Sequence, residues 1–208
     1  MPVEIIDCEQ NSPAWYLSRI GIPTASSFQC LMADSADRKG RATYMRQCAG
    51  EIITGKPIET FRSPEMDRGH AMEDSIRMEY AFKHDVEPQR VGFIRNGLRG
   101  CSPDALIGAN GVLEIKTQRP DILIETLLKG QFPNVHKAQT QGALLVTERE
   151  WVDLAIGYEG MPWFEARAYR DVAYIVALSK AIDEFNEELA ELVDKIRRFG
   201  PPVQPRAA

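Results

Sequence analysis

The sequence is short of the side chains that build most transition-metal sites. Its three histidines (His70, His84, His136) are scattered, and its four cysteines (Cys8, Cys30, Cys48, Cys101) lie far apart with no CxxC pair. Iron–sulfur and zinc centres are therefore not expected, and unpaired thiols fit a reducing, cytoplasmic setting. A metal ion here would have to be held by oxygen donors, which favours magnesium or manganese. No apolar run reaches the roughly 18 residues of a membrane span, so no membrane partner is expected. The opening MPVEIIDCEQ has no basic segment leading into an apolar one, and no secretory signal is read there. Internal repeats, low-complexity tracts and linkers are missing too.

What is present is an ordinary globular composition, 44% hydrophobic and 26% charged. A chain of 208 residues suits a single domain with a sizeable core, taken as residues 1–200, followed by a flexible Pro-containing tail at 201–208. The net charge of −5 speaks against nucleic acid only superficially, because the charges are segregated. RKGRATYMR (38–46) carries four positive charges and no negative one, whereas DEFNEELAELVD (183–194) carries six negative and no positive one. A solvated helix face explains the acidic run as well as any function does, so charge alone decides nothing.

SPAWYLSRIG, before Gly21, predicts a short helix starting after Ser12 with Pro13 at its first position, and a second short helix follows PTASS with Thr24 or Ser26 as its cap. Helices are predicted over 41–54, closed by Gly55 and Pro57, and over 66–83, where Gly69, Met72, Glu73, Ile76 and Tyr80 form one stripe. The period then becomes that of strands at 90–95, 101–107 and 112–118, a meander turned through glycines. Residues 135–147 return to helix, 151–158 and 163–170 read as a hairpin, and a long helix from Asp171 to about Phe199 follows. This order predicts an α/β (α+β) fold, a central mixed β-sheet flanked by helices.

The stretch CSPDALIGANGVLEIKTQ (101–118) places Asp104, Glu114 and Lys116 among apolar residues. Buried charge is costly unless it is paired or binds a metal. Glu114 and Lys116 are two apart on a strand and share a face, with Leu113, Ile115 and Thr117 on the other. Asp104 joins that face only if the intervening loop has an odd number of residues or a bulge shifts the register. Gly108 and Asn110-Gly111 are suited to the positive φ such a loop needs. Two converging carboxylates make a hard oxygen site for one or two divalent ions acting on a phosphodiester. Lys116 would orient and deprotonate water or neutralise the transition state. A polar hairpin face is the plain alternative for so short a pattern. Glu73, on a stripe that should face the core, is a third ligand, an edge residue, or a carboxylate buried against Arg77.

SPD (102–104) followed by LEIK (113–116) resembles the PD-(D/E)xK nuclease signature, which implies a restriction-endonuclease-like core. More narrowly, AWYLSRIGIPTAS, RGHAMED, CSPDALI, LEIK and KAQTQGALLVT occur in the order seen in the phage lambda exonuclease and YqaJ-like viral recombinase family. The resemblance spans roughly residues 10–170. It implies Asp104, Glu114 and the Ile115 carbonyl as metal ligands and Glu73 as support for a second metal, hence two Mg2+ ions (or Mn2+) per site. Lys116 would be the catalytic lysine, and Gln139 would position the nucleophile or the phosphate. Trp15, Arg19 and Ser26 match the W…R…TAS block that handles the DNA end, with Thr24 beside them. The hairpin between Asp104 and Glu114 is short and leaves little room for loop-borne DNA contacts.

The implied activity is a processive 5′→3′ exonuclease that digests one strand of linear double-stranded DNA and leaves a 3′ overhang for recombination by strand annealing. Relatives form homotrimers and partner a single-strand annealing protein in the bacterial cytoplasm. The competing readings are a restriction-type or RecB-like endonuclease, which a circular plasmid would reveal, and a non-catalytic DNA-binding subunit, which metal titration would reveal. For Arg19, Thr24 and Ser26 the alternatives are a phosphate pocket or an ordinary helix cap with Arg19 in a surface ion pair. For Trp15 they are base stacking or core packing.

Overall fold

The computed structural model describes residues 2–32, 38–58 and 64–200, with residues 38 and 64–71 described as backbone alone. The expected tail at 201–208 therefore lies outside the described residues, as do the side chains of Arg68, His70 and Ala71 in the RGHAMED block. Strand β1 (Glu4–Ile6) is too short for its alternation to register in the sequence. Helix α1 (Pro13–Ser18) starts as expected, with Pro13 in its first turn and the Ser12 hydroxyl accepting the Trp15 N–H at 3.3 Å. The next segment is a single 3₁₀ helix, Ala25–Cys30, and its start differs from expectation. Thr24 stands at the N-cap position, yet its hydroxyl makes no capping bond and instead meets Ser26 Oγ at 3.3 Å.

Helices α2 (Arg38–Thr54) and α3 (Pro64–His84) follow, α2 ending at left-handed Gly55. The chain continues through β2 (Phe93–Arg95), β3 (Gly100–Cys101), β4 (Ala105–Ile107) and β5 (Gly111–Thr117). Helix α4 (Pro120–Lys129) is an addition to the expected elements, closed by left-handed Gly130. Helix α5 (Lys137–Thr147), the antiparallel pair β6 (Trp151–Gly157) and β7 (Phe164–Tyr169), and α6 (Val172–Arg197), capped by Asp171, complete the described chain. No helix among the described residues is long and apolar enough to cross a membrane.

The strands form two sheets, β1-β2-β3 and the mixed sheet β4-β5-β6-β7, in which β5 and β6 run parallel. The parallel step needs the long crossover that α4 and α5 supply. The mixed sheet flanked by helices is as expected, but the predicted strand 101–107 is two strands in different sheets. The break falls at Ser102-Pro103-Asp104, where Pro103 has no N–H for a ladder. Gln10 Nε2 bridges the carbonyls of Val91 (2.9 Å) and Pro103 (3.0 Å) there. The basic and acidic runs do not form separate faces either. Helix α2 packs along α6, and Arg41 forks onto Glu188 at 2.7 and 2.8 Å.

Helix α5 is buried along most of its length and packs against the 3₁₀ helix. Gly142 permits that approach, because a Cβ there would lie 2.4 Å from the Phe28 ring. Gly142→Ala should therefore destabilise the protein by about 1–3 kcal/mol through overpacking. Urea unfolding checks this, and an unchanged midpoint would show that Phe28 yields freely.

Candidate functional site

The hairpin register answers the parity question. Ile107 pairs with Gly111, so residues 108–110 make a three-residue turn, and the same register carried back one step sets Asp104 opposite Glu114. Of the turn glycines only Gly108 is left-handed, at φ +50. Gly111 is needed for a different reason: a Cβ would sit 2.2 Å from the Trp151 ring.

Glu114 is 2% exposed, and its Oε2 accepts from Gln139 Nε2 on α5 at 2.8 Å and from Lys116 Nζ at 3.3 Å. Asp104 folds across the hairpin so that Oδ2 accepts the Ile115 N–H at 2.5 Å. Glu73, half-buried on α3, lines the same cleft of about 480 Å³ as Asp104. Asp104, Glu114, Lys116, Gln139 and Glu73 are thus brought together. By contrast Gln141, from the same AQTQ run, holds the Tyr169 carbonyl and the Asp171 N–H and serves the fold.

Burial pushes the Glu114 carboxyl up to about 7, and the charges of Asp104 and Glu73 oppose what Lys116 does to lower it. Asp104 is raised as well, by burial first and by Glu73, against the pull of Lys116. Burial works against the charge of Lys116, but Glu114 and Asp104 together hold it above its ordinary value. His136, just before α5, is pushed down to about 4, by burial first and then by the Lys116 charge, which favours the neutral imidazole.

Among the described residues no group of three His, Cys, Asp or Glu side chains is already arranged around a metal position. The donor chemistry nonetheless fits a hard divalent ion. A buried carboxylate and a half-buried one, both held at raised pKa, are short of positive charge, and a cation bound to their oxygens would relieve both desolvation and mutual repulsion.

A second cleft of about 390 Å³ meets the first at Asn11, which lines both. It contains Arg19, Thr24 and Ser26 together with Tyr44 and Gln47, which carry no signal in sequence because α2 brings them from a distant segment. Arg19 donates to Thr24 Oγ1 at 3.3 Å. The carboxylate nearby, Glu51, is engaged by the N–H groups of Gly21 (3.0 Å) and Ile58 (3.2 Å). Among the described residues Arg19 makes no ion pair of the kind the alternative expected. Burial lowers the Arg19 pKa, opposed by Tyr44 and Glu51, so the guanidinium is a partly desolvated cation.

Of the two alternatives for Trp15, base stacking or core packing, its surroundings favour packing. It is 8% exposed, donates from Nε1 to Ser102 Oγ at 2.8 Å, and has Arg19 lying over its ring at 3.8 Å. Packed with Ile22 and Phe93, it serves as the shelf for Arg19 at the edge of the second cleft. Trp15→Ala should cost about 3–5 kcal/mol of stability, as truncation of a buried aromatic does. A urea midpoint within error of wild type would return Trp15 to the surface.

A family model described as the YqaJ-like viral recombinase domain matches residues 14–150, more than half of the chain. No curated protein matches. Among solved structures, the chain is similar to an alkaline exonuclease, LHK-Exo, from Laribacter hongkongensis. They share 27% identity at a TM-score of 0.81, over 90% of this chain and 97% of that one. The same exonuclease in complex with dAMP gives a TM-score of 0.82 at 27% identity, with the same coverage. A phage-related exonuclease from Haemophilus somnus 129PT shares the fold at a TM-score of 0.65 and 12% identity, over 84% of this chain and 96% of that one.

Proposed function

The chain belongs to the YqaJ-like viral recombinase family, and we propose that it is a divalent-metal-dependent 5′→3′ exonuclease acting on linear double-stranded DNA. The observation that carries this reading is the cluster in which Glu114, bonded to Lys116 and Gln139, stands opposite Asp104, the residue that opens onto a cleft adjoining the Arg19 pocket. Asp104, Glu114, the Ile115 carbonyl and Glu73 are the groups to hold two Mg2+ ions, with Mn2+ as a substitute. Bound there, the ions supply Lewis acidity at the scissile phosphate and an acidified water.

The protein's own groups do the rest. Gln139 fixes the Glu114 carboxylate through its 2.8 Å bond. Lys116, held protonated by Glu114 and Asp104, suits orientation of water and neutralisation of charge on the phosphate better than proton abstraction. Arg19, with Thr24 and Ser26, takes the terminal 5′-phosphate and so sets the polarity. Water attacks phosphorus, the P–O3′ bond breaks, and the terminal nucleotide leaves with a 3′-hydroxyl that takes up a proton. The shortened strand keeps the new 5′-phosphate, which moves into the Arg19 pocket for the next cycle. Repetition leaves a 3′ overhang suited to a single-strand annealing protein, and family likeness supports a processive homotrimer.

The test is a linear duplex with distinguishable labels on its two 5′ ends, incubated with and without Mg2+ beside a closed circular plasmid. Mononucleotide release from both 5′ ends only with Mg2+, with the plasmid intact, is the expected result. Degraded plasmid would replace this reading with an endonuclease, and no cleavage with Mg2+ would replace it with a binding subunit.

A further inference from the structure

Two arginines beyond the carboxylates are left over by this account. Arg77, on the α3 turn after Glu73, is 9% exposed, and its Nε is buried with no hydrogen-bond partner among the described residues. It pairs through Nη1 with Asp74 Oδ1, and the exposed Arg90 reaches that same oxygen at 2.8 Å. Both arginines line the cleft that contains Asp104 and Glu73, with the exposed Asp7 and Glu9 at its rim. Two guanidinium groups share one carboxylate oxygen, and a buried Nε without an acceptor is costly. An anion with several oxygens satisfies both, and a guanidinium fork matches phosphate geometry.

We infer that Arg77 and Arg90, braced by Asp74, form a second phosphate subsite that takes the DNA phosphodiester immediately 3′ of the scissile one. This rests on the 5′→3′ exonuclease reading, which orders the strand along the joined clefts. The 5′-phosphate lies at Arg19, the scissile phosphate lies at Asp104 and Glu114, and the strand then continues past Glu73 to Arg77. The phosphate held at Arg77 is then the next to be cleaved, so the subsite keeps the strand in register between cycles.

A single neutral methylphosphonate, moved along the first three internal linkages of a 5′-phosphorylated duplex, tests this by equilibrium binding in Ca2+ and by single-turnover cleavage in Mg2+. At the second linkage it should weaken wild-type binding roughly ten- to hundredfold, the range of a charge-assisted hydrogen bond. In Arg77→Met and in Arg90→Ala the same modification should cost much less. Arg90 is exposed, so Arg90→Ala keeps the comparison available should Arg77→Met fail to fold. Equal sensitivity of wild type and Arg90→Ala at the second linkage would overturn the subsite, as would a second linkage no more sensitive than the third. A wild type that binds yet releases no 5′-terminal nucleotide would overturn the exonuclease reading, and the binding arm would still decide the subsite.

Discussion

Asp104→Ala and Glu114→Ala proteins should each fold and each lose metal-dependent DNA cleavage by roughly a hundred- to thousandfold or more. The reason lies in the metal-free charge balance. Glu114 is 2% exposed and its carboxyl is pushed from 4.5 up to about 7, first by burial and then by Asp104 and Glu73. Between those two values the folded protein holds a proton at Glu114 that the unfolded chain has released. Metal-free stability should therefore fall as pH rises through that window, and Glu114→Gln should remove most of the fall. Melts of both proteins in chelator at pH 5 and pH 8 measure it. Equal pH dependence would remove the buried ionisation from the account. Added Mg2+ should raise the wild-type midpoint at pH 8 by mass action and should do little for Glu114→Gln. Lys116→Ala should retain that metal response while cleaving slowly, because its ammonium acts on the phosphate rather than on the ion. Substantial Mg2+-dependent cleavage by Glu114→Ala would sink the assignment.

Arg19→Ala should lose most of the preference for 5′-phosphate over 5′-hydroxyl ends, a ratio expected to fall roughly ten- to hundredfold. The guanidinium is half-desolvated, laid on Trp15 and bonded to Thr24, with the nearby Glu51 engaged by backbone N–H groups. That leaves it available to an anion. Arg19→Lys should recover part of the ratio, since it restores the charge without the planar fork or the stack. Processive runs should shorten more than binding to internal duplex weakens, because only the terminal phosphate uses the pocket. Initial rates on the two linear duplexes decide the matter, and an unchanged ratio takes Arg19 out of the site. Here a six-residue 3₁₀ helix follows Thr24, too short to lend much dipole, so the pocket depends on Arg19 and the Thr24 and Ser26 hydroxyls.

Residue type and spacing alone carried the expectation of oxygen donors, the placement of Glu114 and Lys116 on one strand face, and the long helices. Those follow from residue type and from periods of two and 3.6, which are local properties. The sequence left the convergence of Asp104 on Glu114 as a condition on loop parity, since register depends on a turn whose length cannot be read until its partners are known. The tertiary structure decided that condition with the Ile107–Gly111 pairing. It also decided what periodicity has no means to show. Pro103 divides one apparent strand between two sheets, Trp15 is a buried shelf, and Arg77 is a buried cation sharing Asp74 with Arg90. Each of these depends on contacts between segments far apart in the chain, where burial and hydrogen-bond partners are set by packing rather than by neighbouring residues.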